Sequence, residues 1–463
     1  MDDAQISEDQ ERPEEESYTL DRKVIAAILF AVDTDDRAQL VDLMEPLHAA
    51  DIADLLEQIN AYDRRRLIRL YDKEFDGEIL SELGDSVREE VIALLNPEVL
   101  ADAVRELDSD DVVDLVEYLE DEQQEVILDA LEDSDRVAVE QALSFPEESA
   151  GRLMQREVVA VPDFWNVGQA IDYMRERDGL PEQFYHVILT DPRFKPVAHV
   201  TLGKLMASPR NILLTDIVEP GFRTFNAGVD EGDVAYAFNQ YHLISAPVVD
   251  DDDRLVGVIT IDDAMIVLDE EHGEDILRLA GVSEESSLSD RVIDTTKRRF
   301  PWLAVNLVTA IMASLVIAQF EATIAQFVAL AVLMPIVASM GGNAGTQSLT
   351  VAVRSIATKD LTGANVWRVI RRECAVGLIN GLIFAVVMGV VGVLWFGSPA
   401  LGYVIGIAMV INLVVAGLAG TVVPVVLDRV GVDPALASGA FVTTVTDIVG
   451  FFAFLGLAGV ILL

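Results

Sequence analysis

The chain has 463 residues, a formal net charge of -45 at pH 7 and a hydrophobic fraction of 51%. The whole acidic excess lies before residue 300, because six acidic and six basic side chains balance one another from there to residue 463. A surface this acidic repels nucleic acid and attracts cations. Nucleic-acid binding is therefore excluded, although an acidic, lysine-poor surface also suits solubility in a salty cytoplasm.

The cysteine and histidine contents exclude two further classes of protein. Cys374 is the only cysteine, so no disulfide framework can form within the chain. The five histidines are scattered along the sequence, which argues against a zinc centre. We predict no catalytic residues and do not expect an enzyme.

The first 145 residues contain a tail and a helical region. Residues 1–19 are acidic and polar, without the basic start and apolar core of a secretory signal, and are predicted to be a disordered tail. From residue 20 to 145, apolar residues recur at steps of three and four, which predicts helices. Segments 50–56 and 110–116 share one pattern, so we expect a small superhelix of stacked helix pairs.

Residues 146–275 change to strands that alternate with helices. The order strand, helix, strand, strand, helix occurs twice, in units of about 60 residues, which indicates an internal duplication. We therefore predict a duplicated α/β domain here. Residues 276–299 are predicted to form a helix that connects this domain to the apolar half of the chain.

Five apolar segments follow, each about as long as the ~20 residues that cross a bilayer. Backbone groups in hydrocarbon must bond internally, so residues 300–463 are predicted to form a transmembrane domain of five helices. Basic residues lie before the first segment, between the second and third, and between the fourth and fifth, which places the N-terminus in the cytoplasm and the C-terminus outside the cell membrane. The predicted spans are Phe300–Phe320, Thr323–Thr346, Cys374–Phe396, Leu401–Leu427 and Pro434–Leu463.

Asp447 carries the sharpest chemical signal in the apolar half. It lies about a dozen residues into the last predicted span, where a carboxylate costs several kcal/mol unless it is hydrated, paired or bound to a cation. No arginine or lysine lies within any predicted span. A cation passing through a wet pore is the expected partner, and a protonated Asp447 bonded to a neighbouring helix is the alternative.

A glycine-rich segment, residues 335–348, also stands out. Three glycines in five residues, with polar neighbours, are expected to weaken a buried helix end and to leave backbone groups free, which is tolerated where they face water, protein or an ion. We predict that it lines a pore. The residues predicted to do so are Gly341, Gly342, Asn343 and Gly345.

The ligand types indicate which ion would pass. The candidate path has hard oxygen ligands and no Cys or His, which fits Mg²⁺ better than zinc or copper. Because Mg²⁺ sheds water reluctantly, a lone carboxylate in each subunit would hold it through its water shell. Two subunits around a two-fold axis would present two copies of Asp447.

These residues resemble the MgtE family of magnesium channels over nearly the whole chain after the tail. The motifs that carry the resemblance are Glu147–Met154, Val256–Ala264, Glu274–Asp275, Pro335–Gln347 and Thr446–Asp447. The resemblance implies a multidomain protein with a superhelical α-helical N-terminal domain, a tandem α/β CBS pair, a connecting helix that plugs the pore, and the five-helix transmembrane domain. His242 and Ile266 stand where the family often has acids.

The resemblance also implies a homodimer with its ion path along the axis and Asp447 as the central metal ligand. Mg²⁺ bound between acidic faces would hold the cytoplasmic domains together and the pore shut. A Thr-x-x-Asp pattern, Thr260 and Asp263, resembles the ribose-binding pair of CBS modules and implies a possible ATP site. The positions matching the Mg²⁺ sensor are Asp111, Asp114, Asp230, Asp263, Glu271, Glu274 and Asp275.

The sequence leaves several hypotheses about function open. The acids at 270–275 could form a solvated helix face. The main hypothesis is a passive Mg²⁺ channel gated by internal Mg²⁺; a CBS-regulated transporter of Co²⁺ or Mn²⁺ is the alternative. A transporter of another solute and a sensor that conducts nothing are further rivals. A transporter would be expected to show inverted repeats or more ionisable residues in its spans, and a pure sensor has no need of Asp447.

Overall fold

A computed structural model describes residues 20–117, 119, 121–131, 133–177, 180–181, 183–282 and 292–463. The predicted tail, 1–19, lies outside the described residues. The chain divides into two compact units, Met1–Leu268 and Asp269–Leu463, and each is described by itself.

The described part of the first unit begins with ten short helices, which confirms the predicted helical domain. Their apolar faces share one core that includes Ile28, Leu55, Leu80 and Val116, all 1% exposed or less. Side chains cap several of these helices, as at Asn60, whose side-chain oxygen accepts from two backbone amides. The helices are α1 (Arg22–Asp33), α2 (Arg37–Met44), α3 (Ala49–Gln58), α4 (Ala61–Tyr71), α5 (Glu78–Ser81), α6 (Asp85–Leu94), α7 (Pro97–Arg105), α8 (Ser109–Glu117), α9 (Asp121–Ala130) and α10 (Asp133–Ala142).

Two buried arginines show that the helical domain is built from repeats. Arg64 bonds the carbonyl groups that end α3 and pairs with Glu90, 26 residues further on. Arg88 bonds the Leu83 carbonyl at 2.9 Å and pairs with Asp114, also 26 residues further on. Each arginine thus satisfies the carbonyls at the end of one helical segment and reaches an acid in the next repeat, which confirms stacked units.

The duplicated α/β domain follows and is also confirmed. Each copy has a three-stranded sheet in which the first strand is parallel to the second and the second is antiparallel to the third. Both hairpins carry the same turn, in which Asp191 and Asp250 accept from backbone amides two and four residues ahead. The elements are α11 (Ala150–Leu153), β1 (Ala160–Pro162), α12 (Val167–Glu176), β2 (His186–Thr190), β3 (Pro196–Thr201), α13 (Leu202–Ala207), β4 (Phe225–Asn226), α14 (Glu231–Tyr241), β5 (Ser245–Val249), β6 (Leu255–Thr260) and α15 (Ile261–Leu279).

The helix that ends this domain, α15, continues past the predicted domain boundary at residue 275 and ends at Leu279. The next helix, α16, begins at Val292. The predicted connecting helix, 276–299, therefore falls partly on residues 283–291, which lie outside the described residues.

Among its described residues, the second unit contains five helices that are long and apolar enough to cross a membrane. The predicted ends of two spans were wrong. The second long helix begins at Ala329, after a short separate helix, and the third begins at Val366 and includes three arginines. Hydropathy marks the apolar part of a helix, whereas the hydrogen-bonded helix extends through charged residues beyond it. The helices are α16 (Val292–Ala318), α17 (Glu321–Gln326), α18 (Ala329–Ala357), α19 (Val366–Phe396), α20 (Pro399–Val430) and α21 (Pro434–Ile461).

The expectation that the glycine-rich segment would form a weakened helix end was also wrong. Residues 335–348 lie inside the continuous helix α18. A Cβ at Gly345 would lie 2.7 Å from Val442 Cγ1 on α21, and a Cβ at Gly420 on α20 would lie 2.6 Å from the Gly345 carbonyl oxygen. The missing side chains therefore let α18 pack closely against two neighbours, and that packing keeps the segment helical.

Helix α20 lies at the centre of the transmembrane unit. Its residues Ile405, Met409 and Leu413 are at most 1% exposed and pack with residues of α18 and α21. In contrast, α19 exposes large apolar side chains, including Leu394 at 80%. Such an apolar outer surface suits contact with lipid.

Candidate functional site

Asp447 lies halfway along α21, which runs from Pro434 to Ile461. The structure places its side chain at an intermediate degree of burial. Within the described part of the chain, the carboxylate has no hydrogen-bond or ion-pair partner. The alternative hypothesis, in which Asp447 is hydrogen-bonded to a neighbouring helix, is therefore not supported by any bond among the described residues.

The hydroxyl groups near Asp447 are used by their own helix. Thr443 donates to the Gly439 carbonyl at 2.9 Å, and Thr446 donates to the Thr443 carbonyl at 2.9 Å. Thr444 donates in the same way to Ala440. Thr444 and Thr446 are buried, whereas Thr443 is partly exposed, and its oxygen can still accept a hydrogen bond from the water shell of a cation.

Helix α18 carries an exposed polar stripe, only part of which was predicted from the sequence. The four glycine-segment residues predicted to line a pore divide between two faces: Gly341 and Gly345 are buried against other helices, Gly342 is partly buried and Asn343 is exposed. Asn343 shares its exposed face with residues spaced three and four apart, which is the period of one helix face. That exposed stripe comprises Ser339, Asn343, Thr346, Gln347 and Thr350.

The buried face of α18 brings this helix against the one that carries Asp447. A Cβ built at Gly345 would contact Val442 and Thr446 of α21, and Thr446 is fully buried. Asp447 follows Thr446 directly. The polar stripe and the unpartnered carboxylate therefore belong to two helices in direct contact.

In the first unit, α8 of the helical domain docks on the segment that enters the α/β domain. Ser109 Oγ donates to Glu157 Oε2 at 2.9 Å and accepts from the Arg156 backbone amide at 2.9 Å. Arg152 Nη1 lies 3.0 Å from Glu117 Oε1. These contacts hold both ends of α8, Ser109 and Glu117, against the segment that enters the α/β domain.

Three carboxylates meet at this joint: Asp110 and Asp111 from α8, and Asp263 from α15. Burial and the neighbouring Asp263 carboxylate raise the pKa of Asp111 to about 7. Burial raises the pKa of Asp263 to about 6, and burial and the Asp263 charge raise the pKa of Asp110 well above its ordinary value. The acids repel one another, so a proton or a cation stabilises the docked arrangement.

Asp111 and Asp263 were predicted from the sequence, whereas Asp110 was not. The available signal was the Asp-Asp pair in the first turn of a helix. Asp263 is also held by Thr260, whose hydroxyl donates to its Oδ2 at 2.5 Å. The predicted Thr-x-x-Asp pair is thus in direct contact.

The other two sensor positions in this unit have structural partners. Arg88 Nη1 lies 2.8 Å from Asp114 Oδ2, and this pair repeats the one between Arg64 and Glu90. Asp230 Oδ1 accepts from the Asp233 amide at 3.2 Å and caps α14. In this structure Asp114 therefore stabilises the contact between two helical repeats, and Asp230 stabilises the start of α14.

In the second unit, the predicted acids of α15 meet the cap of the last helix. Arg278 lies 2.8 Å from Glu274 Oε2 and 3.3 Å from Asp433 Oδ2. Burial, and next the Asp433 charge, raise the pKa of Asp275. Glu271 is exposed on the same helix. The structure therefore places Glu274 and Asp275 close to Asp433, the N-cap of α21.

Asp433 was missed by the sequence analysis. Its Oδ1 accepts from the Ala435 amide at 2.7 Å and caps α21, the helix that carries Asp447. An Asp-Pro pair ahead of an apolar run is the signal that could have revealed it. In the described part of the chain, no three Asp, Glu, His or Cys side chains form a ready-made metal site.

Comparison with family models finds three matches. A model described as a divalent cation transporter, MgtE, matches residues 334–457, which include Asp447 and the whole glycine-rich segment. The MgtE intracellular N domain matches residues 47–148, and a CBS domain matches residues 214–270. The matched regions follow the order of the parts described above.

Two solved structures resemble the first part of the chain. One, titled as the soluble part of a magnesium transporter, is 24% identical and covers 54% of this chain and 98% of its own, with a TM-score of 0.47. The other, titled as the cytosolic domain of the Mg²⁺ channel MgtE in complex with ATP, is 26% identical and covers 52% and 99%, with a TM-score of 0.49.

Two relatives match more than two thirds of the chain. Magnesium transporter MgtE of Enterococcus faecalis is 33% identical over 320 residues, which are 69% of this chain and 70% of the relative. Magnesium transporter MgtE of Thermus thermophilus is 32% identical over 326 residues, or 70% and 72%. With its helical N domain, its CBS pair and its five apolar helices, the chain belongs to the MgtE family of magnesium transporters.

Proposed function

We propose that the chain is a passive Mg²⁺ channel of the cytoplasmic membrane, closed when internal Mg²⁺ is high. The observation that carries this proposal is the Asp447 carboxylate, which lies halfway along an apolar helix without a protein partner in the described residues. A charge at this depth in an apolar helix needs a cation or water beside it. Ion permeation supplies both.

The ion would pass hydrated, along the axis of a homodimer. Mg²⁺ sheds water reluctantly and is commonly bound by one or two carboxylates through retained waters. Two chains related by a two-fold axis would supply two copies of Asp447 and two polar stripes on α18. The stripe residues offer oxygen and amide groups to such water molecules. Mg²⁺ is preferred, and Co²⁺ or Mn²⁺ is the alternative for the same oxygen ligands.

The gate would be controlled by carboxylates on the cytoplasmic side. We propose that the N-terminus is cytoplasmic and that Mg²⁺ binding at the acidic positions favours the closed arrangement. The support in the first unit is the mutual repulsion of Asp110, Asp111 and Asp263, which a divalent cation would relieve. The remaining predicted positions are Asp114 and Asp230. Each would bind Mg²⁺ only after breaking its present bond, to Arg88 and to the Asp233 amide respectively.

In the second unit, the contact of α15 with Asp433 offers a route to the pore. Arg278 is shared between Glu274, a predicted sensor residue, and Asp433, the cap of α21. Mg²⁺ bound by Glu274 and Asp275 would change the charge beside Asp433. Because Asp433 caps the helix that holds Asp447, that change reaches the proposed ion site through one continuous helix.

Neutralising Glu271, Glu274 and Asp275 together should leave the channel open at high internal Mg²⁺. The triple variant carries Glu271→Gln, Glu274→Gln and Asp275→Asn. It therefore lacks the three carboxylates that would bind the closing ion. The measurement is Mg²⁺ flux in liposomes loaded with increasing internal Mg²⁺. Replacing Asp251, Asp252 and Asp253 by Asn is the charge-matched control, since these acids lie on an exposed hairpin, and it should close normally. Inhibition that is unchanged in the first triple variant would exclude this sensor.

We also propose that ATP binds the second CBS copy at Thr260 and Asp263. The support is the direct bond between the Thr260 hydroxyl and the Asp263 carboxylate, which sets both groups at the entrance to α15. A ribose hydroxyl could replace Thr260 as the donor to the carboxylate. Asp263 would then belong to both the nucleotide site and the acidic joint, so nucleotide and Mg²⁺ would influence one another.

A further inference from the structure

Asn412 is an unusual side chain in the core of the transmembrane unit. It lies on α20 and is fully buried. Its Nδ2 donates to the Val337 carbonyl of α18 at 2.8 Å. Its Oδ1 is also buried and has no hydrogen-bond partner among the described residues. A buried acceptor left unpaired costs about 1–3 kcal/mol, so stability alone does not explain an asparagine here.

Glycines from two other helices enclose this carboxamide. A Cβ at Gly341 of α18 would lie 2.2 Å from Asn412 Nδ2, and a Cβ at Gly450 of α21 would lie 2.8 Å from the same atom. Both distances are too short for real atoms, so neither glycine can be replaced without moving Asn412 or a helix. The carboxamide therefore sets the spacing between α18 and α21.

Both contacts lie next to the proposed ion path. Gly341 belongs to the glycine-rich segment, and Gly450 follows Asp447 by three residues, which is about one helical turn. The hydrogen bond to Val337 fixes Asn412 against α18, while its contact with Gly450 fixes α21 close to the carboxylate. A small movement of the carboxamide would therefore change the position of Asp447 relative to α18.

We infer that Asn412 is a positioning residue for ion binding: it sets the distance and rotation of the Asp447 helix against the glycine-rich helix. This inference rests on the proposed pore. A leucine of similar size would remove the unpaired acceptor but also the bond that fixes α18. The protein would keep its stability and lose the geometry of the ion site.

The test compares stability with ion affinity in the full-length protein. Asn412→Leu should unfold at the same temperature as the wild type or higher. In proteoliposomes, the Mg²⁺ concentration that gives half-maximal flux should shift by about tenfold, equivalent to ~1.4 kcal/mol. A purely structural role would lower the folded yield or the maximal flux without moving this concentration, and that result would overturn the inference.

A second variant keeps the test decisive if Asn412→Leu does not fold. Gly450→Ala pushes the carboxamide from the other side and should shift the half-saturating Mg²⁺ concentration similarly. Gly456→Ala, on the same helix, is the matched control, because its Cβ would meet only Phe320 at 3.9 Å. An unshifted Gly450→Ala would overturn the inference. Persistent flux in Asp447→Asn would instead reject the pore itself, so the two failures are distinguishable.

Discussion

Asp447→Asn is expected to reduce Mg²⁺ flux into proteoliposomes by at least ~100-fold, because the variant keeps the size of the side chain and removes its charge. A loss of about 3 kcal/mol in the stabilisation of a cation at this position corresponds to roughly that factor. The charge acts within an apolar helix, where water screens it less than at the surface. Flux is measured with a Mg²⁺-sensitive dye inside liposomes of equal protein content.

Two acids in the same unit serve as controls for Asp447. Glu321 begins the short helix α17 and Asp428 lies near the end of α20, and both are exposed. Glu321→Gln and Asp428→Asn each remove one negative charge and should keep flux within about twofold of the wild type, as is usual for exposed positions. Wild-type flux in Asp447→Asn would show that the ion does not pass this carboxylate.

The second large effect is expected at the acidic joint of the first unit. Asp111→Asn combined with Asp263→Asn should make the docked arrangement independent of Mg²⁺, because the repulsion that the cation relieves is absent. In the wild type, Mg²⁺ at about 100 times its Kd would add about 2.7 kcal/mol to the docked state. Protease protection of full-length protein, titrated with Mg²⁺, measures this difference.

Matched charges elsewhere control for the change in net charge. Asp42 and Asp54 are exposed on α2 and α3, so replacing both by Asn should leave the Mg²⁺ titration unchanged. ATP added at fixed Mg²⁺ should shift the wild-type titration, and Thr260→Val should remove that shift. A Mg²⁺ response of wild-type size in the Asp111 and Asp263 double variant would contradict the proposed role of this joint.

The same joint should respond to pH in a defined direction. The pKa values of Asp111 and Asp263, raised from 3.8 to about 7 and about 6, mean that docking favours the protonated acids. Docking without Mg²⁺ is therefore most stable below pH 4 and is lost as pH rises through 6 to 7. Added Mg²⁺ should therefore increase protection of the full-length protein from protease strongly at pH 7.5 and weakly at pH 5. A double variant with the same pH dependence as the wild type would assign the effect to other groups.

The parts of the fold that depend on local pattern were predictable from sequence. Apolar periodicity identified the helical domain, the repeated order of strands and helices identified a duplicated α/β domain, and apolar length identified five spans. The assignment of that domain as a CBS pair came from the family resemblance. Asp447 stood out because a single charge in an apolar run is visible without a structure. The exact ends of the spans were not visible, since hydropathy does not record where backbone hydrogen bonds stop.

The residues that could not be predicted depend on contacts between distant segments. Asp110 belongs to the acidic joint only because α8 docks beside α15, and Asp433 matters only because Arg278 reaches it. Asn412 resembles an ordinary polar residue in a span until two glycines from other helices are placed around it. The helical state of the glycine-rich segment likewise depends on the neighbours that pack against Gly345.

The most direct measurement of the central claim is the reversal potential of the wild-type protein in a planar bilayer with unequal Mg²⁺ on the two sides. A passive pore whose ion is held at Asp447 predicts a current that reverses at the Mg²⁺ equilibrium potential and is insensitive to proton or sodium gradients. A flux that requires either of those gradients, or a bilayer that carries no Mg²⁺ current at low internal Mg²⁺, would contradict it.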